Sequence, residues 1–292
     1  MTIREFEELT KKGVVYLDGA MGTNLLAAGM PQRVCAEAWT LENPQVVLDL
    51  QRAYVEAGSQ IIYAPTFGAN RNMLKKHKLD EKIQQMNEAL VALSREAAQG
   101  KALVAGDISP SGMILEDLGG EDTEEEVFAV YEEQSRLLAE AGVDLLVIET
   151  MMSPMEAVLA LQAAKKVCDL PVMTTLTADP NGRCLFGGTV ADGAAELQEE
   201  GASAVGINCC SGPDQVLSII KSVKPNVSVP VIAKPNAGVP QVGPGGKAVY
   251  SMTPEEFAEH MEKLYEAGAT MLGGCCGTNP EFIAALKHRI GG

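Results

Sequence analysis

The sequence predicts a single (β/α)8 barrel spanning residues 1–292, on three observations: a repeated phrase, eight short apolar runs, and eight helix-length segments alternating with them. The phrase is a helical pattern that meets glycine and then enters an apolar run. Glu56-Ala-Gly58 precedes Gln60–Pro65, Glu140-Ala-Gly142 precedes Asp144–Glu149, Glu200-Gly201 precedes Ala204–Cys209, and Glu266-Ala-Gly268 precedes Thr270–Cys275. Glycine at such a point is a helix stop, because it takes positive φ without Cβ strain.

Between these phrases lie Val14–Asp18, Ala102–Ile108, Val172–Thr177 and Val231–Asn236. All eight runs are nearly continuous in apolar residues, as parallel strands covered on both faces should be. The helix-length segments are 44–57, 80–99, 123–141, 154–168, 191–200, 213–223, 254–267 and 280–290. Pro44, Pro154, Pro254 and Pro280 open four of them, where a missing N–H costs nothing, and Asn43, Ser153, Thr253 and Asn279 stand in N-cap position. An open doubly wound sheet is the rival architecture, but no Gly-x-Gly-x-x-Gly follows the first run.

Composition narrows the function. With 23 basic against 39 acidic residues the net charge is −16, which disfavours phosphate backbones and anionic lipid, so neither nucleic acid nor membrane is an expected partner. The acidic stretches Glu121–Glu126 and Glu196–Glu200 read as solvated helix starts and faces. No run of about 18 apolar residues suggests a membrane span, and the charged start Met1–Lys12 lacks the apolar stretch of a signal peptide, so a cytoplasmic protein is expected. Seven cysteines, an odd number, fit free thiols better than disulfides. With only His77, His260 and His288 available, a bound metal would have to be held by sulfur.

In this fold the chemistry gathers at the C-terminal strand ends. Those ends carry Asp18-Gly-Ala-Met-Gly-Thr23, Pro65-Thr-Phe-Gly-Ala-Asn70, Gly106–Gly112, Glu149-Thr150, Asn208-Cys209-Cys210, Pro235-Asn-Ala-Gly238 and Gly273-Gly-Cys-Cys-Gly-Thr278. Runs six and eight therefore bring thiols 66 residues apart to one mouth, and a soft tetrahedral thiolate site suits Zn²⁺. Adjacent strand residues face opposite ways, so Cys275 and Cys276 need the freedom that Gly273, Gly274 and Gly277 supply. Spacing alone leaves open that the paired cysteines are small buried hydrophobes, and that Asp18 and Glu149 merely cap turns. Cys35, Cys168 and Cys184 read as structural.

Together these motifs resemble the zinc-dependent homocysteine S-methyltransferase family, most closely the homocysteine-binding barrel of cobalamin-dependent methionine synthase. The likeness runs in order over nearly the whole chain. It implies Zn²⁺ on Cys209, Cys275 and Cys276 as the catalytic centre, with Cys210 an extra thiol turned away. It also implies a substrate site at Asp18, Gly19, Ala20, Met21, Thr66, Glu149 and Asn236. Asp18 and Glu149 would take the ammonium of homocysteine, and loop N–H groups its carboxylate. The implied reaction is methyl transfer to the homocysteine sulfur, giving methionine. Without folate-, cobalamin-binding or activation modules in this sequence, the donor expected is a separate methylcorrinoid protein. S-methylmethionine, S-adenosylmethionine and betaine are the small-molecule alternatives. Betaine is disfavoured because Trp39, Tyr63 and Phe67 are the only aromatics near the loops, too few for a cation cage. A non-catalytic zinc- or homocysteine-binding barrel is the alternative of another class; Cys210 could close its metal site as a fourth ligand.

Overall fold

The computed structural model describes residues 1–243 and 248–291. Its strands are β1 (Val15–Tyr16), β2 (Ile61–Tyr63), β3 (Leu103–Ile108), β4 (Leu145–Met151), β5 (Val172–Leu176), β6 (Ala204–Asn208), β7 (Val231–Lys234), β8 (Gln241–Val242), β9 (Ala248–Val249) and β10 (Ala269–Leu272). Its helices are α1 (Ile3–Thr10), α2 (Gly22–Ala27), α3 (Ala36–Glu42), α4 (Pro44–Ala57), α5 (Arg71–Lys75), α6 (Ile83–Ala98), α7 (Glu124–Glu140), α8 (Pro154–Val167), α9 (Val190–Glu199), α10 (Pro213–Val223), α11 (Pro254–Glu266) and α12 (Pro280–Gly291).

Eight strands form one parallel sheet in the order β1-β10-β7-β6-β5-β4-β3-β2. The ends meet through a parallel bridge between Leu17 and Ile61 and a bond from Gln60 N–H to the Tyr16 carbonyl. A circular order excludes the open doubly wound sheet; the fold is a (β/α)8 barrel. β8 and β9 pair antiparallel outside it.

Strand alternation divides the core in two. Val15, Ile61, Ala105, Leu145, Val147, Met173, Ala204, Ile232 and Met271 point into the barrel and pack on one another. The intervening residues, such as Ile62, Val104, Leu146, Val205 and Leu272, face outward under the helices. Both faces are buried, which is why the runs read as continuously apolar.

The caps at Ser153 and Thr253 form as expected, each side chain accepting from the backbone N–H three residues on. Asn279 accepts from Glu281 N–H at 2.9 Å. Asn43 does not cap α4; its amide donates to the Trp39 carbonyl and closes α3 instead. The acidic stretch at 121–126 contains a capping box, Thr123 with Glu126, at the start of α7.

Helix α1 was not foreseen, because Met1–Lys12 looks charged throughout. A capping box between Thr2 and Glu5 starts it, and Phe6, 1% exposed, enters the inward cluster. No helix among the described residues is long and apolar enough to cross a membrane. Phe6→Ala should lower the unfolding free energy by about 3–5 kcal/mol, read from urea denaturation. A loss under about 1 kcal/mol would show that α1 is not part of the core.

Candidate functional site

The alternation that fills the barrel also dictates its upper layer. Continuing inward from Ala105, Val147, Met173, Ala204 and Ile232 by steps of two gives Asp107, Glu149, Thr175, Asn208 and Lys234. All are buried. Above them opens a cavity of about 350 Å³, lined among others by Asp18, Asp107, Glu149, Lys234, Cys209 and Cys275. Apolar packing ends at this layer and chemistry begins.

Three of the expected residues gather their sulfurs: Cys209, Cys275 and Cys276 offer Sγ atoms all within 4.8 Å of one another. The Cys209 and Cys276 sulfurs are 3.7 Å apart. Strand β7 lies between β6 and β10, and the chain leaving it ties both thiol segments down. Cys209 N–H donates to the Lys234 carbonyl, Cys275 N–H to the Pro235 carbonyl, and Ala237 N–H to the Cys276 carbonyl.

The pleat problem posed by adjacent cysteines does not arise, because β10 stops at Leu272. Cys275–Thr278 is a turn closed by Thr278 N–H on the Cys275 carbonyl, with Gly277 at φ +85°. At β6 the bend falls on Cys209 itself, at φ 47°, a strained value for a side-chain-bearing residue. Cys210 is buried in the apolar packing beneath the helices, apart from the three sulfurs. Cys35, Cys168 and Cys184 also lie outside the group.

Without a metal the thiols share protons among themselves. Hydrogen bonds from Cys209 and Cys275 pull the Cys276 pKa down to about 3. The Cys275 thiol is pushed well up, by its bonds with Cys209 and Cys276 and by burial. Thiolate is the form a divalent cation selects.

Asp18, expected to take the substrate ammonium, already has two partners within the protein. One oxygen accepts from Lys234 Nζ at 2.7 Å and the other from Tyr63 N–H at 2.7 Å. Lys234, 3% exposed, also lies over the Tyr63 ring, 3.6 Å from its centroid. Burial works against its charge, but Asp18, Tyr63 and Glu149 outweigh burial and hold its pKa well above the usual lysine value. Lys234 escaped the sequence reading, although two steps from inward-facing Ile232 it could have been found.

Glu149 faces the cavity and accepts one bond, from Asn208 Nδ2 at 3.0 Å. Burial raises its pKa to about 7. Asn208 in turn accepts from Thr175 Oγ1 and from Thr150 N–H, so the amide is locked on both sides. Thr150, at φ 63°, is a second strained residue, set where the β4–β5 register shifts.

Gly19, Ala20 and Met21 line the cavity wall, and Ala20 N–H is taken by Thr278 Oγ1 at 3.0 Å. Thr66 lies behind the wall. Its hydroxyl donates to the Asp107 carbonyl at 2.8 Å and accepts from Asp107 N–H at 3.0 Å, so its polar capacity goes to the backbone. Asn236 sits between the two backbone bonds to Cys275 and Cys276, 6% exposed, its side-chain oxygen without a partner among the described residues.

The buried Lys234–Asp18 pair makes a direct prediction. Lys234→Met strands a carboxylate and should cost about 3–5 kcal/mol of stability. Lys234→Met with Asp18→Asn should cost clearly less than the two single changes added, measured as a double-mutant cycle by denaturation. Simple additivity would mean the two groups do not interact.

Comparison with known proteins agrees with this architecture. Solved structures of the homocysteine methyltransferase MmuM from Escherichia coli share the fold. The metallated form superposes with a TM-score of 0.80 at 24% identity, covering 97% of this chain and 98% of that one. The apo form gives 0.76 at 25% identity, covering 96% and 97%. The methionine synthases of Mycobacterium leprae (strain TN) and Mycobacterium tuberculosis (strain ATCC 25618 / H37Rv) are each 28% identical over 302 residues, a match covering 97% of this chain. It covers only 25% of either synthase, so the chain spans about a quarter of the length of these curated relatives. A family model described as homocysteine S-methyltransferase matches residues 15–290, and the chain belongs to that family.

Proposed function

We propose that this barrel methylates the sulfur of homocysteine, with Zn²⁺ held by Cys209, Cys275 and Cys276. The observation that carries the reading is the three-thiol group opening into a cavity lined by carboxylates. A tetrahedral zinc with Zn–S bonds of about 2.3 Å requires sulfurs about 3.8 Å apart, and the Cys209–Cys276 separation is 3.7 Å. Cys210 supplies no fourth sulfur to the group. This donor set fits an exchangeable site better than a closed structural one. When bound, zinc supplies a Lewis acid that keeps the substrate sulfur anionic at neutral pH, where a free thiol of pKa about 8.5 is largely protonated.

The protein's own groups position the amino acid. Glu149, fixed by Asn208 and with its second oxygen toward the cavity, accepts the substrate ammonium. The substrate carboxylate takes the N–H groups of Gly19 and Met21, which donate to no protein acceptor among the described residues. Asp18 acts through Lys234, keeping a cation at the cavity floor. No residue here need move a proton in the transfer itself, since methyl passes between a sulfur anion and an electrophile.

The donor we propose is a methylcorrinoid borne on a protein, as the resemblance to cobalamin-dependent synthases implies. Large apolar side chains exposed on the loops after β3, β5 and β7 support a macromolecular donor: Ile114 at 44%, Leu185 at 72% and Val239 at 50%. S-methylmethionine, S-adenosylmethionine and betaine remain the small-molecule donors to test beside it.

Zinc-loaded protein with homocysteine, offered methylcobalamin, S-methylmethionine, S-adenosylmethionine and betaine in parallel, should form methionine with at least one donor and fastest with methylcobalamin. No methionine with any of them, or with a methylcorrinoid protein, would refute the function. Cys276→Ala should lower zinc affinity at least a hundredfold, measured by competition with a chromophoric chelator, and abolish turnover. A variant that retains full zinc and activity would remove Cys276 from the ligand set.

A further inference from the structure

Four carboxylates stand around the cavity, and they differ in what already satisfies them. Asp18 has Lys234 and Tyr63 N–H. Glu37 accepts from Gly68 N–H and from the Cys35 thiol. Glu149 has Asn208. The Asp107 side-chain carboxylate, on a residue 6% exposed, accepts nothing from the described residues, and its Oδ1 is buried without a partner.

That isolation is built in. The Thr66 hydroxyl bonds both the N–H and the carbonyl of Asp107, so the backbone beneath the carboxylate is clamped. The β3–β4 register pairs Asp107 with Val147, which puts Glu149 one inward step higher on the neighbouring strand. The two carboxylates thus border the same side of the cavity, and the only buried ammonium among the described residues, Lys234, is committed to Asp18. Burial and the adjacent Glu149 hold Asp107 well above its usual pKa, the signature of a missing counter-charge. An unpaired buried carboxylate is costly, and a rigid one is a ready acceptor for a cation that arrives with the ligand.

We propose that Asp107, clamped by Thr66, shares the substrate's α-ammonium with Glu149, and so selects amino-acid thiols over thiols that lack the amino group. This rests on the homocysteine reading and refines it, moving the second ammonium acceptor from Asp18 to Asp107. It also gives Thr66 a role: positioning Asp107 rather than touching substrate.

The test is calorimetric binding to zinc-loaded protein of L-homocysteine and of γ-mercaptobutyrate, the same molecule without its amino group. Wild type should prefer homocysteine. Asp107→Asn should weaken homocysteine about tenfold to a hundredfold, the range of a charge-assisted bond, and leave γ-mercaptobutyrate unchanged. Asp107→Ser repeats the measurement should the Asn variant fold poorly. Unchanged homocysteine affinity, or an equal loss for both thiols, would overturn the role of Asp107 while homocysteine binding by wild type stands. A wild type that binds neither thiol would overturn the functional reading, and this inference with it.

Discussion

The structure turns on the segment Lys234–Ala237. Strand β7 sits between β6 and β10, and the chain leaving it hydrogen-bonds the backbone of Cys209 on one side and of Cys275 and Cys276 on the other. Three thiols from two distant stretches are held to a common point by main-chain bonds, which do not depend on the identity of the neighbouring side chains unless proline removes a donor. The same segment sends Lys234 to the cavity floor, where its ammonium meets Asp18. Moving β7 by one residue would turn Lys234 outward, strand Asp18, and shift the carbonyls that fix both cysteine turns. The three-thiol group and the charge balance therefore share one register.

Strain is spent where the site requires it. Thr150 and Cys209 both occupy positive φ, although neither is glycine; Thr150 follows Glu149 at the register shift near the end of β4, and Cys209 follows β6 directly. Neighbouring bonds hold them there: Thr150 N–H donates to Asn208 Oδ1, and Cys209 N–H to the Lys234 carbonyl. Such backbone states persist only when the surroundings over-determine them. Glycine carries the third bend, at Gly277, and lets Cys275 and Cys276 present both sulfurs from a turn instead of a pleat.

Much of this was legible in the sequence, for identifiable reasons. Parallel strands buried on both faces give short apolar runs, and glycine after a helix marks where four of them begin, so all eight barrel strands could be read off. Their ends could not, because the last residues of the predicted runs, Cys209, Asn236 and Cys275 among them, bend out of the sheet to make the site. Helix α1 was hidden because only Phe6 and the half-buried Leu9 do its packing. Asp18 and Glu149 were visible as carboxylates at strand ends, but the partner that changes the meaning of Asp18 was not: Lys234 lies 216 positions away and looks like any lysine after an apolar run. Asp107 and Lys234 become readable once the inward set is phased from the apolar residues two positions before them. Thr66 was picked out by motif, and only the coordinates show its hydroxyl spent on a backbone.

The central claim is that three cysteine sulfurs hold one zinc ion and leave a single place for a substrate sulfur. X-ray absorption at the zinc edge tests it most directly, recorded on zinc-loaded protein before and after adding homocysteine. The account predicts three sulfur neighbours and one lighter atom, becoming four sulfurs at about 2.3 Å with substrate. Four sulfurs from the start, or a spectrum that homocysteine leaves unchanged, would contradict it.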